Sequence, residues 1–94
     1  MSAPTIRITY CRKCHFRPRA IWMAEELLHT FEEFIASVTL VPGGGGQFDV
    51  HLDDELIFAN REAGRFPDTR ELREAIAARI DGAPQPRHSR ATAE

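Results

Sequence analysis

The chain has 94 residues, enough for one small domain with a single hydrophobic core. Its composition, 43% hydrophobic and 28% charged, is typical of a soluble globular protein, and its formal net charge of −2 gives no electrostatic reason to expect a nucleic-acid partner. No apolar run approaches the roughly 20 residues of a membrane span, and residues 1–4 do not resemble a signal peptide, so we expect no membrane partner and a cytoplasmic location.

A Cys-x-x-Cys pair, Cys11 and Cys14, lies between two stretches of different periodicity. Before the pair, residues 6–10 alternate apolar and polar side chains, which predicts a half-buried strand. After it, apolar residues recur every three or four positions, which predicts one face of a helix: Ile21, Ala24, Leu28, Phe31 and Ile35. The two cysteines are therefore expected where a strand ends and a helix begins.

This position favours reactive sulfur. The N–H groups in the first turn of a helix lack internal partners, and the helix dipole places partial positive charge there. The same short stretch carries Arg12, Lys13, Arg17 and Arg19. Positive potential stabilises a thiolate, which is the nucleophilic form of cysteine, so the thiol pKa is expected to be lowered.

The first helix is predicted to begin near Pro18, because proline lacks the N–H that would be unpartnered there, and to run to about residue 33 or 34. Trp22 and Met23 fall beside the predicted apolar face. Trp22 is expected at the periphery of the core, and the alternative is that it faces the edge of the sheet or a partner. Residues 37–41 alternate again and predict a second strand, parallel to the first.

Four consecutive glycines at 43–46 follow Pro42 and are expected to interrupt regular structure. Two further strands are predicted over residues 47–52 and 55–59, joined by a tight hairpin at residues 53–54. Asp49 and His51 alternate with the apolar residues of the third strand and are predicted to face solvent.

Asp68 and Glu71 have the spacing of a capping box, so a second helix is predicted to begin there. Its apolar face is expected to contain Leu72, Ala75, Ile76 and Ile80, and Gly82 and Pro84 are expected to end it. Residues 1–82 are thus predicted to form one domain, and residues 83–94 a disordered or loosely attached tail.

The order β-α-β-β-β-α predicts an α/β (α+β) fold, with a four-stranded mixed sheet and two helices. The glycine-rich loop can span two strand spacings, about 10 Å, so the third strand can pair beside the first. That gives the favoured strand order 2-1-3-4, while the neighbour order 1-2-3-4 stays open.

In either topology the Cys loop, the loop at 42–47 and the loop at 60–67 share one end of the sheet. We expect the functional surface there. The glycines would let a partner's backbone come close, and two phenylalanines would supply apolar lips. The predicted partner-binding residues are Arg12, Lys13, Gly44, Gly45, Phe48 and Phe66.

Several blocks of the chain, in this order, resemble the selenoprotein W-like group of thioredoxin-fold proteins: Tyr10–Cys14, Arg19–Trp22, Glu26–Leu28, Val41–Phe48 and Gly64–Pro67. The resemblance spans roughly residues 5–82. It implies a thioredoxin-like fold that lacks one central helix, and a thiol-based redox role often tied to glutathione. Selenium-containing members carry selenocysteine at the position of Cys14, so this chain is similar to a cysteine-containing relative. Residues 59–62 depart from the Ser-Arg-Lys motif more common among relatives. Thioredoxin-like folds often hold a cis proline before the third strand, but the glycines align poorly with that motif, and a trans Pro42 is predicted.

Three interpretations of the cysteine pair compete. Redox chemistry needs one thiolate to attack a disulfide and the other to resolve the mixed disulfide. A structural metal needs four ligands, and the histidines show no paired spacing, so no metal is expected. Cys11-x-x-Cys14-His15 also matches a covalent haem motif, but that chemistry requires export, and no signal segment is apparent. Redox chemistry is therefore favoured.

Cys11 and Cys14 are accordingly the predicted catalytic residues of a thiol–disulfide redox protein linked to glutathione or thioredoxin. Which sulfur attacks stays open: related redox motifs favour an exposed Cys11, and the selenocysteine position favours Cys14. No cofactor is expected beyond glutathione as a co-substrate, and the expected partners are glutathione or a thiol/disulfide protein client. The alternative is a non-enzymatic redox-sensing adaptor that binds a partner protein through the Cys and Gly-rich loops. Peroxidase chemistry is a weaker option.

Overall fold

The computed structural model describes residues 3–80 and residue 82, and its elements follow the predicted order. The strands are β1 (Thr5–Cys11), β2 (Ser37–Gly43), β3 (Phe48–Leu52) and β4 (Glu55–Ala59), and the helices are α1 (Arg17–Phe31), α2 (Asn60–Ala63) and α3 (Thr69–Ala77). A short 3-10 turn, Arg12–Cys14, follows β1. The predicted tail, residues 83–94, lies outside the described residues.

The four strands form one mixed sheet in the order β2-β1-β3-β4. β1 pairs in parallel with β2 and antiparallel with β3, and β3 pairs antiparallel with β4. The predicted order 2-1-3-4 is confirmed, and with it the thioredoxin-like α/β fold. β1 is therefore a central strand, and its last residue is Cys11. The predicted hairpin at 53–54 is present, and Asp53 adopts a φ of 53° in its turn.

Helices α1 and α3 pack together with the sheet around one core. The sheet contributes alternate residues of its strands, including Ile6, Ile8, Phe48 and Val50, none of which is more than 1% exposed. Burying each large apolar side chain contributes roughly 1.5–3 kcal/mol. The core includes Ile6, Ile8 and Tyr10, so it stabilises the strand that ends at Cys11. Within the described part of the chain, the structure has no helix long and apolar enough to cross a membrane.

The buried face of α1 differs from the predicted one. It consists of Ala20, Met23, Leu27 and Phe31, whereas Ile21 and Leu28 are exposed, as is Trp22 at 54%. The expected peripheral burial of Trp22 is therefore wrong. Two apolar stripes run along this helix at helical spacing, and the periodicity alone does not say which one meets the sheet.

The ends of several elements also differ from the predicted ones. α1 ends at Phe31, because the N–H groups of Phe34 and Ile35 both donate to the Phe31 carbonyl and tighten the chain into a turn. β2 runs on through Pro42 to Gly43, which is possible because β2 is an edge strand and needs no N–H donor on its outer side. The described residues contain no cis peptide bond, so the trans Pro42 is confirmed.

Helix α3 begins as predicted. The Asp68 side chain accepts a hydrogen bond from the Arg70 N–H at 3.0 Å, and the Glu71 carboxylate accepts one from the Asp68 N–H at 2.9 Å. Leu72 and Ile76 are buried as expected. The helix ends at Ala77, ahead of the predicted stop at Gly82. The single helical turn α2 was not predicted, because four residues are too few to show a period.

Candidate redox site

Cys11 and Cys14 form a disulfide bond, with their Cα atoms 5.4 Å apart, a separation ordinary for such bonds. The chain turns back at His15, whose φ of 61° is in the left-handed region, and Phe16 then precedes α1. The pair thus lies between a strand and a helix, as predicted. Two residues nevertheless separate Cys14 from the first residue of α1. Because the field of a helix start falls off within its first turn, nearby cationic side chains are the closer source of positive potential.

The two cysteines differ in exposure. Cys11 is 2% exposed at the end of the central strand, where its N–H donates to the Gln47 carbonyl at 2.8 Å. Cys14, in the 3-10 turn, is only partly buried. The premise that Cys11 is the more exposed sulfur is therefore wrong, and Cys14 is the residue of the pair that a partner reaches more easily.

Basic side chains surround this loop. Arg12, Lys13, Arg17 and Arg19 are all exposed, and the first turn of α1 contains no acidic residue. The Arg19 guanidinium carbon lies 4.2 Å from the centre of the Phe66 ring, a cation–π contact. In the described ranges, none of these four residues takes part in an ion pair. Their positive charge is therefore available to a thiolate or to an incoming group.

The glycine-rich loop lies beside the cysteine loop. Gly45 and Gly46 have φ values of 66° and 75°, and the Gln47 N–H donates to the Gly44 carbonyl at 3.2 Å. Positive φ at both central residues of such a turn strongly favours glycine. Gly44 and Gly45 are exposed, and a side-chain carbon added at either would meet no atom within 4 Å. The surface here is open, as expected, although its use by a partner stays a prediction.

Asn60 holds the glycine-rich loop in place. Its Oδ1 accepts a hydrogen bond from the Phe48 N–H at 2.8 Å, and its Nδ2 donates to the Gly46 carbonyl at 2.9 Å. The sequence analysis missed this role. A lone polar residue directly after an apolar strand was the available signal, but partners 12 and 14 residues away leave no local pattern.

The prediction that Asp49 and His51 face solvent is wrong for Asp49, which is 7% exposed, while His51 is partly buried. Asp49 lies on β3, an interior strand of the sheet, and its Oδ2 accepts a hydrogen bond from Gln47 Nε2 at 2.7 Å. The Gln47 amide also fits closely against Gly43, where an added Cβ would lie 2.5 Å from Gln47 Oε1. Strand alternation assigns Asp49 to the face of the sheet opposite the core, but the Gln47 side chain contacts it there, and Asp49 is buried.

Three phenylalanines join the parts of this end of the molecule. Phe16, Phe48 and Phe66 pack edge to face, with ring centres 4.8 Å apart for Phe16–Phe66 and 5.4 Å for Phe48–Phe66. Phe48 is only 1% exposed, so it supports the site from the core and does not form the expected apolar lip. Phe66 is partly exposed. The three predicted loops do share one end of the sheet.

Among residues 3–80 and 82, no group of three or more His, Cys, Asp and Glu side chains is arranged to hold a metal ion. A Cys-x-x-Cys disulfide that closes the central strand of a four-stranded 2-1-3-4 sheet defines a thioredoxin-like protein with a disulfide-forming motif. Residues 5–78 match the Rdx family. The chain belongs to this family, which is the selenoprotein W-like group that its motifs indicated.

Individual relatives agree with this assignment. The chain is 29% identical over 79 residues to Migration and invasion enhancer 1 of Mus musculus, a match that covers 84% of this chain and 67% of the relative. The Bos taurus protein of the same name matches to the same extent. Among solved structures, a selenoprotein W-related protein from Vibrio cholerae superposes with a TM-score of 0.82 at 36% identity, over 85% of this chain and all of that one. A Bordetella parapertussis protein gives a TM-score of 0.80 at 38% identity, over 82% and 98% of the two chains.

Proposed function

We propose that this protein is a thiol–disulfide oxidoreductase in which Cys11 and Cys14 cycle between a dithiol and a disulfide. The observation that carries the proposal is the bridge itself: it joins a buried cysteine to a partly exposed one in a surface loop. Such a pair has one sulfur that a partner can reach and a second sulfur held in position to resolve the adduct. Membership of the Rdx family supports the same chemistry.

The cycle begins with the Cys14 thiolate of the reduced protein. It attacks a sulfur of the partner disulfide, forms a mixed disulfide, and releases the other half of the partner as a thiolate. The Cys11 thiolate then attacks the Cys14 sulfur, closes the Cys11–Cys14 bond, and releases the second partner thiolate. Two electrons pass from the protein to the partner, which is a protein client or glutathione disulfide.

When the partner is a protein client, glutathione then reduces the oxidised protein; when the partner is glutathione disulfide, a thioredoxin-linked donor does so. This step requires a reducing compartment. Because glutathione and thioredoxin keep thiols reduced in the cytoplasm, we propose that the protein acts there. Arg12 and Lys13 lie between the two cysteines and are exposed, so their charge favours the thiolate form of the reduced pair.

Trapping experiments test which of the two cysteines attacks the partner disulfide. The Cys11→Ser and Cys14→Ser variants would be treated with a bulky aromatic disulfide and analysed by intact mass, with the double variant as the control. We expect a stable mixed adduct in Cys11→Ser and none in Cys14→Ser, because only Cys14 is open to the reagent. An adduct confined to Cys14→Ser would show that Cys11 attacks. No adduct in either single variant would contradict the proposed function.

A second candidate, a redox-sensing adaptor, is favoured by a different observation. Ile21 and Trp22 are 52% and 54% exposed in the second turn of α1, close in sequence to the cysteine loop. Exposed apolar side chains of this size are common in binding surfaces. An adaptor would form a complex whose affinity changes with the oxidation state of the pair, without consuming glutathione. An oxidoreductase would consume glutathione or a thioredoxin-linked donor and would tolerate the Trp22→Ala change.

A further inference from the structure

A cavity of about 350 Å³ opens beside the cysteine loop, and two arginines contribute to its walls. It is lined by Tyr10, Arg12, His15, Arg17 and Pro18. Arg12 lies between the two cysteines in sequence and His15 directly follows Cys14, so the cavity adjoins the cysteine loop, although neither cysteine lines it. No carboxylate lines it. Its volume is at the low end of the range for small-ligand sites, which is roughly 300–1,000 Å³.

The charge around this cavity contrasts with that of the whole chain, whose formal net charge is −2. Residues 1–24 contain no Asp or Glu. Elsewhere the described arginines include several with carboxylate partners: Arg65, Arg70, Arg73 and Arg79 each pair with a glutamate. Arg12 and Arg17 have no such partner in the part of the chain that the structure describes. The two guanidinium groups at the cavity are therefore not neutralised by the protein itself.

We propose that this cavity binds carboxylates of the disulfide partner, so that the protein prefers anionic disulfides as substrates. The inference rests on the proposed function and specifies its substrate class. A guanidinium group binds a carboxylate through paired hydrogen bonds, and Arg12 and Arg17 supply two such groups to a cavity at the cysteine loop. A carboxylate held there would keep an anionic disulfide close to the cysteine loop, whereas a cationic disulfide would be repelled.

The reaction is the exchange described above, in which a dithiol protein and one disulfide give a disulfide protein and two thiols. Only its rate depends on the cavity. The test compares three small aliphatic disulfides that differ in charge: 3,3′-dithiodipropionate (dianionic), bis(2-hydroxyethyl) disulfide (neutral) and cystamine (dicationic). The initial rate of oxidation of the reduced protein by each is measured by quenching and mass analysis.

The variants Arg12→Gln and Arg17→Gln should each lower the ratio of anionic to cationic rates by roughly three- to fivefold at low salt, and the double variant by more. High salt should lower the wild-type ratio as well, because it screens exposed charges. Arg79→Gln is the matched control. It removes the same charge near Glu55, which begins the edge strand β4 at the end of the sheet opposite the cysteine loop. The ratio should therefore be unchanged.

The ratio separates substrate selection from a general effect on the thiol. Losing a nearby arginine also changes the thiolate fraction of Cys14, but that change alters all three rates together. Equal ratios in wild type, Arg12→Gln and Arg17→Gln, with exchange still faster than for a cysteine peptide, would overturn the anion preference and leave the proposed function standing. Exchange no faster than the peptide for every probe would overturn both.

Two sources of carboxylates can then be distinguished. The same variants are assayed with glutathione disulfide and its tetramethyl ester, and with a peptide disulfide whose cysteines are flanked by glutamates or by glutamines. A charge preference seen only with glutathione assigns the cavity to that tripeptide, and one seen only with the peptides assigns it to acidic protein clients. No preference in either pair would contradict the proposal.

Discussion

The helices α1 and α3 begin at the same end of the sheet, but only α3 has an acidic side chain in its first turn. α3 has an Asp68 cap, and Glu71 in its first turn is held by both the Asp68 N–H and the Arg65 guanidinium. α1 has no side-chain cap and no acidic residue in its first turn, which carries Arg17 and Arg19 instead. One helix start is neutralised from within the protein, and the other is left positive. The positive one adjoins the cysteines.

Glu71 illustrates what neutralisation does. The hydrogen bond from Arg65, followed by the backbone hydrogen bond from Asp68, holds the pKa of Glu71 below its usual value. The same pairing raises the pKa of Arg65. Both groups are substantially exposed, so the pair contributes a modest amount of stability. The start of α1 has no such carboxylate, so the positive charge of Arg17 and Arg19 there can act on the neighbouring cysteine loop.

The Phe16–Phe48–Phe66 cluster connects these two helix starts, and breaking it should have the largest effect. Phe66→Ala removes a partly buried ring that packs on both partners and beneath Arg19. We expect the free energy of unfolding to fall by about 2 kcal/mol, less than for a fully buried phenylalanine. Urea unfolding followed by the fluorescence of Trp22, the sole tryptophan, measures this.

Phe66→Leu keeps most of the apolar contact and is the matched control. It should cost roughly half as much as the alanine change. A loss below about 0.5 kcal/mol for Phe66→Ala would show that the cluster does not connect the two helix starts.

Glu71→Gln tests the neutralised helix start and should have an intermediate effect. We expect a loss of about 1 kcal/mol at pH 7, because the amide oxygen can still accept the Asp68 N–H but the negative charge beside Arg65 and the helix start is lost. Since the pKa of Glu71 is lowered in the folded protein, its charge contributes fully above the unfolded-chain value of 4.5, and the contribution is lost as the pH falls through the folded value. Unfolding measured from pH 7 to pH 3 should show the wild-type advantage shrinking below about pH 4.5. A constant difference across that range would contradict this account.

Arg17→Glu places an acid in the positive helix start and should have the smallest effect, with the opposite sign. A negative charge in the first turn stabilises a helix by roughly 0.3–1 kcal/mol, so the variant should be slightly more stable than wild type, with Arg17→Gln in between. Its exchange with anionic disulfides should be slower. A variant less stable than wild type would show that the start of α1 does not carry uncompensated positive charge.

Much of the fold is visible in the sequence because its signals are local. The Asp68 and Glu71 spacing, the Asp53-Asp54 turn and the alternation of β1 each act within a few residues, and the short glycine-rich loop favours the 2-1-3-4 order. The phase of α1 is not local. Two apolar stripes compete, and the packing of Met23 and Leu27 against the sheet decides between them.

The site divides in the same way. The cysteine pair and its basic neighbours are contiguous in sequence, so the sequence placed them together. The relative exposure of Cys11 and Cys14 depends on β1 being a central strand, and the Asn60 contacts depend on tertiary pairing. Burial of Asp49 under the Gln47 amide likewise requires the folded loop. None of these has a signature in a short window.

A redox titration of the Cys11–Cys14 couple against glutathione buffers, followed by intact mass after alkylation, tests the central claim most directly. We predict a reversible two-electron couple at roughly −180 to −270 mV, between the potentials of protein disulfide isomerase and thioredoxin, with a glutathione adduct on Cys14 in the Cys11→Ser variant. A bond that stays closed in the most reducing glutathione buffers, or thiols that never form it, would contradict the redox account and leave the loop with a structural or binding role.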